Sequence, residues 1–251
     1  MAKLFALLLA LVPACSQAQR VLDLPQQAGF SAAEVNAYAA RTYGARLRAL
    51  RAARRLDPDP ALKERLQRLM ARLERAAAYE VPASGAIAWE IHACSGCDEN
   101  ASSRPGGKLL VSAEFIARLQ LRDEELAYLL AHEMGHVLAQ HAREFASAAR
   151  YFVDNGARRT YGDIENELGQ NLGVMLRMQP VSVQQELEAD YIGFVLGAHA
   201  GFAPEAMLGL LRKLAPERGA LVDTHPSAPQ RLEQARAMLD AMRRLAARPV
   251  S

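Results

Sequence analysis

The stretch "LLAHEMGHVLAQH", Leu129 to His141, places one glutamate and three histidines inside an apolar run. Its HExxH spacing is typical of a metal-binding helix, because residues four apart lie only about 40° apart around a helix axis. His132 and His136 therefore project from one face and can share one Zn²⁺. Glu133 is offset by about 100° from His132, which suits a general base beside the metal. The pattern predicts a helix that carries half of a catalytic site.

His141 follows His136 by five residues, which is about 140° further around the same helix. We therefore expect His141 to point away from the metal and to have a structural role. A metzincin site, HExxHxxGxxH, is excluded because Ala139 stands where that motif has glycine and His141 is one position early. Acidic residues from Asp123 onward suit a first helical turn, and the motif helix is expected to run to about Phe152.

The third metal ligand must come from another part of the chain, and "QQELEADYIGF" offers three carboxylates on a predicted helix. Glu186 and Asp190 are four apart and share a face, whereas Glu188 lies about 200° from Glu186. We predict Glu186 as the ligand and Asp190 as the carboxylate that orients a ligating histidine, His132. Two histidines, one glutamate and one open position are typical of a catalytic zinc site, with one Zn²⁺ per chain.

"HEMGHVLAQH", followed by "ELEAD" and then "THPSAPQR", resembles zinc metallopeptidase family forty-eight, the HtpX-like, CAAX prenyl protease and BepA- and LoiP-like group. The resemblance covers about residues 61–245 and is greatest to the short exported members. It implies a gluzincin-like fold with Glu133 as catalytic base. "NASS" stands where the family often has an Asn-Ala-Phe stretch, so the substrate-binding edge is expected to differ. The implied zinc ligands and their polar neighbour are His132, His136, Glu186 and Asp190.

The same resemblance draws attention to His225 and Arg231 in "THPSAPQR". His225 precedes Pro226, so it lies in a loop or at a helix start. One interpretation places its ring near the zinc, where it stabilises the oxyanion or occupies the open position. The other makes it a capping residue that anchors the last helix. Arg231 is expected to form a buried ion pair rather than to act in catalysis.

Residues 1–18 have the composition of an export signal, with a positive start followed by an apolar run too short to span a membrane. Cleavage after Ala18 is one prediction. The alternative is a lipobox-like "VPAC" that makes Cys15 a lipidated first residue. Cys94 and Cys97 are expected to form a disulfide in an oxidising compartment, with a redox-active pair as the alternative. The protein is thus predicted to be periplasmic or exported, and associated with the outer membrane if lipidated.

The remaining sequence indicates a mostly helical α+β fold, with a small β-sheet packed beside the HExxH helix. We predict an N-terminal helical extension at residues 19–60 and a peptidase domain at residues 61–251. The strand-like runs are "AIAWEIHA" and "KLLVSA", and the latter is expected to present a free edge to an extended substrate. Residues 153–181 are expected to form an irregular lid, or a surface loop with a short helix, before a helix that begins near Ser182.

Charge and hydropathy argue against nucleic-acid binding and against a membrane-spanning segment in the mature chain. The chain has 30 basic and 28 acidic residues, a net charge of +2, which argues against nucleic acid as the main partner. No apolar run after the signal reaches the roughly 18 residues of a membrane span, so none is expected in the mature chain.

The combined features predict a zinc-dependent endopeptidase of the cell envelope. Its expected substrates are polypeptides, either misfolded or envelope proteins, as in protein quality control. The first alternative is a zinc-bearing chaperone-like or assembly module with weak or no proteolysis. The second is a zinc hydrolase that acts on a non-peptide amide.

Overall fold

The computed structural model describes residues 29–215 and 228–246. The predicted fold class is confirmed, since these residues form mostly helix and one small sheet. The strands are β1 (Glu90–Cys94), β2 (Ala101–Arg104) and β3 (Lys108–Ser112). The helices are α1 (Ala32–Ala52), α2 (Pro60–Glu80), α3 (Ala113–Arg118), α4 (Asp123–Leu138), α5 (His141–Ala149), α6 (Tyr161–Leu168), α7 (Leu172–His199), α8 (Glu205–Leu214) and α9 (Ala228–Ala246).

Three of the predicted features lie outside the described residues: the signal at residues 1–18, Cys15 and His225. Their roles remain predictions. Within residues 29–215 and 228–246, no helix combines the length and the apolar character needed to cross a membrane.

The first turn of α1 is capped by a neighbour in sequence and tied to a distant helix. The Ser31 hydroxyl accepts a hydrogen bond from the backbone N–H of Glu34 at 3.1 Å. The Glu34 carboxylate accepts instead from the backbone N–H of Tyr161, the first residue of α6, at 2.9 Å. Carboxylates favour helix N-termini because unpaired N–H groups and the helix dipole meet there. This contact joins α1 to α6.

The sheet has the order β1–β3–β2, with β1 parallel and β2 antiparallel to β3. The prediction that "KLLVSA" presents a free edge is wrong, because β3 is the central strand. Four of its residues, 109–112, are buried, and its backbone pairs with β1 on one side and with β2 on the other. The edge strands are β1 and β2, and the sequence of β2, "ASSR", lacks the alternating apolar pattern that marks a strand.

The motif helix is shorter than predicted, because α4 ends at Leu138 and a new helix begins at His141. Between them Gln140 adopts a left-handed conformation with φ 57°. Such a conformation is unfavourable for a residue with a side chain. The turn allows α5 to fold back and bury a row of alanines beside the first turn of α1. That burial offsets the conformational cost at Gln140. The turn also moves His141 out of the register that a continuous helix would give.

The region predicted to be an irregular lid contains α6 and the first turns of α7. The expected helix start near Ser182 is wrong, since α7 begins at Leu172 and continues through Pro180. A proline inside a helix loses one hydrogen bond and crowds the preceding turn. Here Val174 and Met178, on the two turns before Pro180, are buried in a cluster shared with α1, α5 and α6. Their burial keeps the helix continuous.

The main core lies around α4, which crosses α7 at very short range. A Cβ atom built on Gly193 would lie 2.8 Å from the backbone nitrogen of His132. One built on Gly135 would lie 3.0 Å from the backbone oxygen of Ala189. The two helices therefore meet backbone to backbone, and glycine is required where they meet. Large apolar side chains, including Tyr128 and others on both helices, fill the space beyond the crossing.

We expect Gly193→Ala to destabilise the protein by about 1–3 kcal/mol, because the added methyl group overlaps the backbone of α4. Urea unfolding monitored by circular dichroism measures this change. The matched control is Gly44→Ala on α1, where a Cβ atom would meet only the Arg48 side chain at 3.5 Å. That variant should gain up to about 1 kcal/mol from helix propensity. Equal shifts in the two variants would contradict the required close approach.

Candidate metal centre

Three side chains converge where α4 crosses α7. The Nε2 atoms of His132 and His136 lie 3.2 Å apart. Glu186 reaches them from α7, with its Oε2 atom 3.4 Å from Nε2 of His132 and its Oε1 atom 3.4 Å from Nε2 of His136. Within the described part of the chain, this is the one group of three or more histidine, cysteine or acidic residues close enough to share a metal ion.

The geometry of this triad fits a tetrahedral metal ion. Ligand atoms held about 2.0–2.1 Å from a tetrahedral ion lie about 3.3 Å from one another. The 3.2 Å between the two Nε2 atoms matches that value, and the Glu186 carboxylate presents one oxygen to each histidine at 3.4 Å. Two imidazole nitrogens and one carboxylate oxygen are also the donors of a catalytic zinc site, which leaves a fourth position for water or substrate.

The electrostatics of the triad favour a positive charge at its centre. Burial alone would lower the pKa of His132, but hydrogen bonds and charge from Asp190 and Glu186 raise it to about 10. Burial would raise the pKa of Glu186, yet its contacts with both histidines hold that pKa well below its usual range. A cation in this position is therefore stabilised by carboxylates that remain ionised.

Asp190 connects the triad to the last helix. Its Oδ1 atom lies 3.0 Å from Nδ1 of His132, on the side of the ring away from the triad. Arg231, on α9, donates two hydrogen bonds to the Asp190 carboxylate, from Nε at 2.7 Å and from Nη2 at 2.6 Å. Burial would raise the pKa of Asp190, but Arg231 and His132 lower it. This buried, bidentate pair fixes the carboxylate that orients His132.

Glu133 lies beside the triad and lines the same cleft, which has a volume of about 640 Å³. The cleft walls come from widely separated parts of the chain. They include the first turn of α1, the turn after α2, strand β2, α4 and α7, represented by Val35, Ile87, Ser103 and Glu186. An extended chain laid along β2 would therefore pass the triad and Glu133.

His141 does not point away from the site, contrary to the sequence-based expectation. Its Nδ1 atom lies 2.9 Å from Nδ1 of His136, and its Nε2 atom lies 3.5 Å from Oε2 of Glu188. The ring is only 2% exposed, and burial lowers its pKa. The helix break at Gln140 explains the difference, because the expected offset of about 140° holds only along one continuous helix. His141 is still outside the three-residue metal group.

The predicted cysteine pair lies away from the cleft. The Cα atoms of Cys94 and Cys97 are 6.1 Å apart at the end of β1, a separation that permits a disulfide. Cys94 is buried against α1, with Tyr43 and Leu47 in the same cluster. Neither cysteine lines the cleft that holds Glu133.

Two features of the site were missed by sequence reasoning. The edge strand β2 carried no detectable pattern, because its residues are polar and only partly buried. The close helix crossing did leave a signal, since Ala189 and Gly193 are four apart on α7 and Gly135 lies inside the HExxH motif. Small residues with this spacing form a strip on one helix face that a second backbone can approach.

Comparison with known proteins gives a consistent result. The sequence model of peptidase family M48 matches residues 60–239. "Mitochondrial metalloendopeptidase OMA1" of Schizosaccharomyces pombe is 33% identical over 160 residues, which are 59% of this chain and 46% of that protein. Its namesake in Saccharomyces cerevisiae is 30% identical over 203 residues, 71% of this chain and 56% of that protein. "Metalloprotease LoiP" of Escherichia coli is 29% identical over 132 residues, which are 48% of this chain and 52% of that protein. The chain spans about half the length of these relatives.

We expect Asp190→Asn to weaken zinc binding by about 10- to 100-fold, the usual cost of losing a partner of a metal ligand. The same change should destabilise the protein, because it leaves the Arg231 guanidinium buried without its carboxylate. Competition with a chromogenic chelator measures the first effect and thermal unfolding the second. Asp240→Asn, at an exposed position on α9, is the matched control and should change neither. Unchanged zinc affinity in Asp190→Asn would contradict the orienting role.

Proposed function

Because the chain belongs to peptidase family M48, we propose that it is a zinc-dependent endopeptidase that hydrolyses misfolded or cell-envelope proteins. The observation that carries this proposal is the triad beside Glu133 in one cleft, with the two histidine Nε2 atoms 3.2 Å apart and a Glu186 oxygen 3.4 Å from each of them. The endopeptidase names of the OMA1 relatives support the same activity.

Zinc suits the donor set better than other common ions. Mg²⁺ and Ca²⁺ prefer six or more oxygen ligands, whereas two imidazoles and one carboxylate are typical of catalytic zinc. His132, His136 and Glu186 would hold the ion. When bound, zinc supplies Lewis-acid chemistry that lowers the pKa of water at the open position and polarises the scissile carbonyl.

The side chains around the triad have separate roles in the proposed reaction. Glu133 accepts a proton from the attacking water and then delivers it to the leaving amine. Asp190, fixed by Arg231, holds the hydrogen of His132 on Nδ1 and keeps Nε2 aimed into the triad. Arg231 thus acts through Asp190 and not on the substrate.

Strand β2 offers backbone hydrogen bonds to an extended substrate. The backbone N–H of Ser112 donates to the carbonyl of Asn100, which marks these two residues as a hydrogen-bonded pair of the antiparallel ladder. Such pairs alternate, so Ser102 also bonds to β3, while Ala101 and Ser103 turn their N–H and C=O groups to the free edge. Ala101 and Ser103 also line the cleft. A substrate strand added here lies beside Glu133.

This mode of binding supports a role in protein quality control. Backbone hydrogen bonds to an edge strand select an extended chain more than a particular side-chain sequence, and unfolded proteins supply extended chains. We further propose that residues 1–18 are an export signal and that the enzyme is periplasmic or exported, with Cys15 as the alternative lipid attachment site for association with the outer membrane.

We expect Glu133→Gln to lower casein cleavage by at least about 100-fold, since it removes the general base. Zinc content, measured by elemental analysis, should match that of the wild type because Glu133 is not a ligand. A zinc-loaded wild type that cleaves casein no faster than this variant would contradict the enzyme proposal. That outcome would favour the chaperone-like alternative, which suppression of aggregation of an unfolded client protein would then measure.

We expect Ser103→Pro to lower kcat/KM for an unfolded protein by about 5- to 10-fold, because proline removes one N–H that faces the substrate. Unfolding stability should change little, since that N–H forms no bond within the ladder. Ser103→Ala is the matched control, because it keeps the N–H and should retain wild-type kcat/KM. Ser102→Pro should instead destabilise the sheet. Wild-type kcat/KM in a folded Ser103→Pro variant would exclude substrate binding along this edge.

A further inference from the structure

Each histidine of the triad has a polar partner on the ring nitrogen that faces away from Glu186. For His132 this partner is the Asp190 carboxylate at 3.0 Å. For His136 it is another imidazole, that of His141, with the two Nδ1 atoms 2.9 Å apart. The two rings are close to perpendicular, at 76°, with their centroids 4.9 Å apart. The contact is therefore edge-on between ring nitrogens.

Two ring nitrogens at this distance share one hydrogen, so one is the donor and the other the acceptor. Nε2 of His136 faces Nε2 of His132 and the Glu186 carboxylate, so it is the atom that offers a lone pair to the metal. A neutral His136 then carries its hydrogen on Nδ1. Nδ1 of His141 must accept that hydrogen, and the hydrogen of His141 must lie on Nε2. That atom faces the Glu188 carboxylate at 3.5 Å, an electrostatic contact that is too long for a good hydrogen bond.

The fold holds His141 in this position from several sides. The left-handed Gln140 turns the chain back toward His136, and the ring is 2% exposed. From α7, Gln185 donates a hydrogen bond from Nε2 to the backbone carbonyl of His141 at 3.1 Å. The residues that hold His141, Gln185 and Glu188, therefore flank the ligand Glu186 in sequence and belong to the same helix.

We propose that His141 is a positioning residue for the metal ligand His136, with the Glu188 carboxylate facing the other ring nitrogen of His141. The inference rests on the proposed function, because it assigns a role beside the same zinc site. His141 fixes the tautomer and direction of His136, as Asp190 does for His132. The two ligands are not equivalent, since a carboxylate contacts His132 directly, whereas an imidazole lies between His136 and Glu188.

Two substitutions at one position separate the hydrogen bond from simple packing. His141→Asn retains a carbonyl oxygen near the position of Nδ1, whereas His141→Phe keeps a ring of similar size without an acceptor. Chelator competition should show zinc binding about 10- to 100-fold weaker in His141→Phe and within a few-fold of wild type in His141→Asn. His199→Gln is the matched control, because His199 also pairs with a glutamate, Glu80, and lies at the last residue of α7. It should bind zinc as the wild type does.

Wild-type zinc affinity in His141→Phe would overturn the proposal. Equal weakening in the Asn and Phe variants, with unfolding stability unchanged in both, would also overturn it.

Imidazole ¹⁵N spectra of the zinc-loaded wild type test the inference without any substitution, and decide it if His141→Phe does not fold. His141 should carry its hydrogen on Nε2, and His136 should carry its hydrogen on Nδ1. The reverse tautomer at His141 would overturn the proposal. A wild type that binds zinc without cleaving casein would overturn the proposed activity alone, and the tautomer would still decide the role of His141. A wild type that binds no zinc would overturn both.

Discussion

The backbone contact between α4 and α7 determines where the proposed metal-ligating side chains lie. Because Gly193 leaves no side chain between the helices, α7 approaches to within contact of the His132 backbone. Glu186 lies seven residues earlier, two helical turns along the same face, and so reaches the two histidines from the opposite side. A wider crossing filled by ordinary side chains would place that carboxylate several ångströms away. The geometry of the proposed metal site therefore depends on the absence of side chains where α4 and α7 cross.

Helix geometry made the candidate ligands predictable. His132 and His136 are related by one turn of a helix, and so are Glu186 and Asp190, so each pair needed only local spacing. The fold class followed in the same way from the helical patterns and the strand-like runs. The two pairs were joined because two histidines need a third ligand and a carboxylate partner, and the resemblance to a known family agreed with that assignment.

The features that sequence did not predict depend on burial between distant segments. Nothing next to Gln140 requires a helix break, and nothing next to Pro180 favours a continuous helix. Both conformations are stabilised by one apolar cluster that α1, α5, α6 and α7 share. Strand β2 is stabilised by its ladder to β3 and by its place beside α4, not by its own side chains. Tertiary packing overrode local preference in each case.

The position of Arg231 near the end of the chain means that the proposed metal site is completed late in synthesis. Arg231 lies on α9, which the ribosome makes after α4 and α7, so a growing chain contains every proposed metal ligand before it contains the guanidinium that fixes Asp190. Until α9 docks, the Asp190 carboxylate lacks its bidentate partner, and the orientation of His132 is less restricted. The proposed metal site is therefore complete only when the last helix has packed against the rest of the fold.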